Sequence, residues 1–180
     1  RLCDYSDSAR LAEECQNNID YIAADEAYNS GFYYTAYSGF KQLKDFCDAA
    51  ERAEACIQTP PDSGELYHNP DYAKKISIYI KNKGKSLDLM VKFYTMDGDL
   101  VSVVYVRPGQ RVKIRLPRGE YMAKCGWGAQ WFGEKEYFGK IAFYDWDYEK
   151  FVLDPGYYYT YEITTPEPEN VGSGSLSYTE

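Results

Sequence analysis

The sequence predicts an α+β protein of two domains, a helical hairpin repeat over residues 1–57 and an antiparallel β-sandwich over residues 74–165. Three observations carry this expectation. Before residue 57 apolar residues recur at helical spacing, inside an internal repeat. Residues 58–73 hold three prolines and no basic side chain, the composition of a linker. From Lys74 onward the apolar period switches to two, the mark of strands with one buried face.

The repeat aligns Asp4–Cys15, DYSDSARLAEEC, with Asp45–Cys56, DFCDAAERAEAC, at a period of 41, and six of the twelve positions are identical. Each copy opens on an aspartate suited to N-capping, with a second three residues on, near the positive end of the helix dipole. Between the copies Tyr21, Ala24 and Tyr28 share one helical face, Ser30-Gly31 breaks the helix, and Tyr33, Ala36, Phe40 and Leu43 share the next. Small residues alternating with aromatic ones allow two helices to approach closely.

These positions, with Asp45-Phe46-x-Asp48-Ala49 and Leu2-Cys3-Asp4-Tyr5-x-Asp7-Ser8, resemble a tetratricopeptide-like helical repeat of Gram-positive bacterial proteins. Units of that type end in a Leu-Gly-Asp-Tyr-x-Asp-Ser phrase and a later cysteine; Cys3 stands where the phrase has glycine. The resemblance covers about a third of the chain. It implies a scaffold or partner-binding role without catalytic residues, and a chain that begins at Arg1 inside one repeat.

Cys56 shares a face with Ala49 and Ala53 and is expected as a small core residue. Cys47 and Cys56 lie nine residues apart, about 13 Å of helical rise, too far to bridge each other. No Cys-x-x-Cys pair exists, so a metal site is not expected, and the five cysteines fix neither an oxidising nor a reducing compartment. His68, the single histidine, is expected as a solvated side chain of the linker.

In the second half Ile76, Ile78 and Ile80 alternate with polar neighbours, Asn82-Lys83-Gly84 turns the chain, and Leu87, Leu89, Val91 and Phe93 alternate again. Asp97-Gly98 signals a hairpin, followed by a strand over 100–106 and a turn at Pro108-Gly109. Val112, Ile114 and Leu116 alternate with Arg111, Lys113 and Arg115. Pro117-Arg118-Gly119 then reads as the turn of a hairpin whose second strand runs through Tyr121, Ala123 and Cys125. Short strands are expected near 141–144 and 149–153, and a last one through Tyr157, Tyr159, Tyr161 and Ile163, with residues 166–180 as an extended tail. Seven or so short strands at this spacing indicate a sandwich.

The strand, the Pro-x-Gly-x-Tyr turn, the next strand and the stretch Trp131–Gly139 together resemble a β-sandwich module attached to such repeats in bacterial proteins of unassigned function. More distantly the turn is similar to prealbumin-like and carbohydrate-binding-like sandwiches. No activity follows from either likeness.

The strongest candidate site is the aromatic, glycine-divided loop 126–146, with Trp127, Trp131, Phe132, Tyr137, Tyr144 and Trp146 as candidate ligand-binding residues. Exposed rings stack on the C–H faces of sugars or anchor a peptide, so a protein or glycan partner is expected. The other reading has the loop folding over an open end of the sandwich, its rings plugging a small core, as a structural spacer. With so many glycines a mixed outcome is expected, Trp131 or Trp127 partly exposed and Phe138 and Phe143 buried.

Asp97-Gly98-Asp99 and Asp145-Trp146-Asp147 pair carboxylates, but no loop of oxygen ligands surrounds either, and turn chemistry accounts for the first. Serine and cysteine nucleophiles lack a base, because His68 is the only imidazole. A non-catalytic protein without cofactor is therefore expected. Residues 74–124 carry 12 basic and 4 acidic side chains within a chain of net charge −8, and most of the basic ones alternate outward on strands, where solvated charge is ordinary. Nucleic acid is not expected as a partner, and no apolar run is long enough to span a bilayer. The beginning at Arg1, the tyrosine-rich second half and the resemblances together suggest a bacterial cell-surface or secreted protein.

Overall fold

The structure is a computed structural model. It describes the backbone of residues 3–141, 143–164 and 174–179, and the side chains of residues 7–140 and 150–164. The protein is α+β, with helices first and a largely antiparallel multi-stranded region after them. It divides into two compact units, Arg1–Pro60 with Gln130–Lys140, and Pro61–Ala129 with Ile141–Glu180. The loop segment 130–140, expected with the strands, therefore groups with the helices.

In the helical unit, α1 (Cys3–Asn29) is one continuous helix that merges the first repeat copy with the first helix of the hairpin. It is followed by α2 (Tyr33–Leu43) and the short α3 (Ala49–Ala55). Their shared core holds Ala24, Ala36, Phe40, Leu43, Ala49, Ala53 and Cys56. Phe40 is fully buried, and its ring meets Tyr21 edge-on at 5.4 Å between centroids. Burying such a side chain contributes roughly 2–3 kcal/mol. Close approach of α1 and α2 requires Gly39, where an added Cβ would stand 2.9 Å from Ala24 Cβ. Cys56 is buried as expected, and burial pushes its thiol up to about 11.

The strand unit contains two sheets. The five-stranded sheet runs β1-β4-β3-β6-β7 and the four-stranded sheet β5-β2-β8-β9. The strands are β1 (Gly64–His68), β2 (Ile76–Asn82), β3 (Asp88–Thr95), β4 (Leu100–Val106), β5 (Arg111–Leu116), β6 (Gly119–Gly128), β7 (Phe143–Leu153), β8 (Tyr158–Ile163) and β9 (Gly174–Thr179). Residues from both sheets, among them Ile78, Ile114, Val91, Phe93, Ala123 and Tyr161, form one apolar cluster.

Several expectations are corrected here. β5 and β6 do not pair: β5 pairs with β2, and β6 with β3 and β7, so the Pro117–Gly119 turn carries the chain from one sheet to the other. The physical reason is that Val112, Ile114 and Leu116 on one strand and Tyr121, Ala123 and Cys125 on the other all enter the same core. Tyr121 closes this corner by donating to the Pro117 carbonyl at 2.9 Å, and burial pushes its phenol up to about 12. β2 and β8 pair in parallel, which an all-antiparallel expectation missed. The stretch expected as linker contributes β1, antiparallel to β4, and the stretch expected as tail contributes β9, antiparallel to β8. The two short strands expected near 141–153 are a single strand, β7.

The Asn82 turn follows the sequence. Asn82 is fully buried, its amide donates to the Leu87 and Val106 carbonyls, and its oxygen accepts from Gly84 N–H. On β5, Arg111, Lys113 and Arg115 are exposed as expected, and the first two lie over the Tyr79 ring.

Candidate functional site

Residues 130–140 form a compact clasp within the helical unit. The backbone enters through a bridge in which Gln58 N–H donates to the Trp131 carbonyl at 2.8 Å. A one-turn helix, α4 (Gly133–Glu136), follows, and Phe132 and Tyr137 close the turn through a 2.6 Å hydrogen bond from Phe132 N–H to the Tyr137 carbonyl. Trp131 packs against Tyr137 at 5.8 Å and edge-on against Phe138 at 5.6 Å. Phe132 packs against Tyr34 and Tyr37 of α2, each at 5.2 Å. Such aromatic pairs contribute about 0.5–1.5 kcal/mol beyond the area they bury.

Polar contacts fix the same clasp. The N-terminus of α2 receives no cap from its own Phe32. Instead the Glu136 carboxylate accepts from Tyr34 N–H at 2.6 Å, Thr35 N–H at 3.1 Å and Thr35 Oγ1 at 2.6 Å. These amide hydrogens have no partner inside the helix, and an acceptor with negative charge suits the positive end of its dipole. Lys135 donates to the Ser30 carbonyl at 2.7 Å and lies over the Phe32 ring.

The candidate residues divide as follows. Trp131, Phe132 and Tyr137 come together with Phe138, and of these Trp131, Phe132 and Phe138 are buried while Tyr137 is half-buried. Trp127 belongs to β6 and is buried in the apolar cluster of the strand unit, its indole N–H without a hydrogen-bond partner among the described residues. The expectation that Trp127 or Trp131 is partly exposed is corrected, since they are 2% and 5% exposed. Burial of a flat ring removes the face on which a sugar would stack. Tyr144 and Trp146 sit on β7 opposite Gly126 and Lys124, and their side chains, like that of Phe143, lie outside the described residues.

A polar cluster that the sequence did not reveal joins β1 to β4 and to the turn before β2. Glu65 Oε1 accepts from Ser102 Oγ at 2.8 Å and faces His68 Nδ1 at 2.9 Å, while Oε2 takes Lys74 Nζ at 2.6 Å. Burial alone would raise the carboxyl, but hydrogen bonds from Lys74, Ser102 and His68 outweigh it and hold the group below the ordinary glutamate value. His68 is thus no solvated side chain: its Nε2 meets the Tyr72 carbonyl at 2.7 Å. His68 and Ser102 are register partners on β1 and β4, and His68 Nδ1 and the buried Ser102 hydroxyl meet the same Glu65 oxygen, to which the hydroxyl donates. Glu65 and His68 stand three apart and would face opposite sides of a regular strand. The register shift between Glu65 and Tyr67 lets them meet, and a stretch whose prolines pointed to a linker gives no sign of it.

The Asp97-Gly98-Asp99 pair is a turn, with Gly98 N–H on the Thr95 carbonyl and Asp99 accepting from Tyr72 OH at 2.7 Å. Among the described residues no group of three or more His, Cys, Asp or Glu side chains could hold a metal ion. Cys15 and Cys47 are exposed, and Cys56 and Cys125 are buried. Among the described residues no helix is long and apolar enough to cross a membrane. No family model, curated protein or solved structure matches the chain.

Proposed function

We propose that the protein is a non-catalytic structural and assembly module, a tetratricopeptide-like helical hairpin with a β-sandwich of prealbumin-like or carbohydrate-binding-like type, displayed at a bacterial cell surface or secreted. One observation carries this reading over glycan or peptide capture by loop 126–146: the rings of Trp131, Phe132 and Phe138 are buried against their own unit. The clasp that holds them ends in a carboxylate that caps α2, so its side chains complete a helical core. The sharing of one apolar cluster by residues of both sheets supports the sandwich. The period-41 repeat, whose second copy buries Ala49, Ala53 and Cys56, supports the helical-repeat reading.

The test is Trp131→Ala and Trp146→Ala, each followed by thermal melting and by glycan and peptide arrays. The structural reading expects W131A to lower the melting temperature while the parent finds no ligand that depends on Trp131. Unchanged melting with loss of a ligand that the parent binds would restore the capture reading.

A further inference from the structure

The helical unit has a second apolar face that is exposed among the described residues. Leu11, Ile19 and Ile22 on α1 are 51%, 59% and 58% exposed, and Ala12 and Cys15 are exposed beside them. At about 100° per residue these five positions fall within a stripe about 100° wide, the width by which an amphipathic helix meets a neighbour. Tyr21, Ala24 and Tyr28 lie on a different side of the helix, the side that packs in the helical core. Helix α1 thus has two apolar faces, of which one is occupied among the described residues.

The internal repeat shows what covers such a stripe. Ala12 and Cys15 correspond to Ala53 and Cys56, which are 0% exposed beneath the hairpin residues Ala36 and Phe40. Glu13 corresponds to Glu54, which pairs with Lys41 of α2 at 2.8 Å, and Asp7 to Asp48, which accepts from Tyr21 OH. The same motif is therefore seen once with its covering hairpin and once bare. Of the stripe residues that have a counterpart in the repeat, Leu11 is the one that differs: it stands where α3 has Arg52, whose guanidinium pairs with Asp25 and lies over Tyr28.

We propose that the α1 stripe docks a helical hairpin of a partner protein, one presenting a Tyr/Phe/Ala face with lysine opposite Glu13 and an apolar side chain opposite Leu11. Charge argues against a second copy as the occupant. Helix α1 carries seven acidic side chains and one basic, Arg10, so two such helices side by side repel. The hairpin face of a second copy is already covered by its own α3. The inference rests on the assembly reading, but the loop variants that test that reading leave α1 untouched, so the two can fail separately.

The probe is a labelled peptide spanning residues 17–44 with Asp25→Leu, titrated into the full chain by fluorescence anisotropy. Saturable binding is expected, weakened about tenfold or more by either Leu11→Asp or Ile19→Asp in the full chain. Alkylation of Cys15 should slow in the presence of the peptide while that of exposed Cys47 does not. Both variants should melt with the parent, because the altered side chains are exposed. No saturable binding up to about 1 mM overturns the proposal, as does binding indifferent to both substitutions or collapse of melting in both. Sedimentation showing a dimer of the parent that I19D dissolves would overturn it in favour of a second copy.

Discussion

Glu136 and Thr35 are joined twice, from Thr35 N–H to one carboxylate oxygen at 3.1 Å and from Thr35 Oγ1 to the other at 2.6 Å. They stand 101 residues apart, so α2 takes its N-terminal cap from a distant segment of the chain. A capping contact of this kind contributes about 1–2 kcal/mol. Glu136→Ala should lower the unfolding free energy of the helical unit by about that amount, with the amides of Tyr34 and Thr35 exchanging faster. The double variant E136A/T35A should lose less than the two single losses combined, because the partners share one interaction. Additive losses would mean that the carboxylate and Thr35 act independently.

Gly139 has φ +64, and an added Cβ would stand 2.1 Å from Tyr34 Cδ2. Gly98 has φ +93 with nothing near its would-be Cβ. Gly139→Ala should cost about 1–3 kcal/mol more than Gly98→Ala, because both pay for the positive φ but only the first must displace a packed ring. Equal costs, measured by denaturant unfolding, would show that Tyr34 does not press on this backbone.

The elements were largely legible in the sequence and their partners were not. The period-two runs at Ile76, Ile78, Ile80 and at Val112, Ile114, Leu116 mark β2 and β5, because one buried face writes itself into alternation. Alternation does not say which strand lies alongside, so the Pro117–Gly119 turn reads as a hairpin in the sequence although it connects two sheets. Prolines hid β1, although Pro60, Pro61 and Pro70 all lie outside its five residues. In the loop, aromatic content located the right segment but could not tell a platform from a core. That distinction depends on Tyr34 and Tyr37, about a hundred residues earlier.

Glu65 gives the strand unit a pH dependence of known sign. Its carboxyl is held below the ordinary value of 4.5, so the contribution is present above that value and is lost as pH falls through the lower folded value. Acidification should therefore loosen β1 from β4. Glu65→Gln should remove much of this acid-side slope and cost about 1–3 kcal/mol at neutral pH, since Lys74, Ser102 and His68 lose a charged acceptor. Unfolding curves across the acid range with parent and variant losing stability in parallel would contradict this.

The most direct measurement of whether the clasp is core is native-state hydrogen exchange on Phe132→Ala. Phe132 is fully buried between Tyr34 and Tyr37, so truncation should cost about 3–5 kcal/mol and collapse the protection of α2 amides from Tyr34 to Leu43. Parent-like protection of α2 with an unchanged melting temperature would contradict the account, and would return Phe132 to the role of an exposed contact residue.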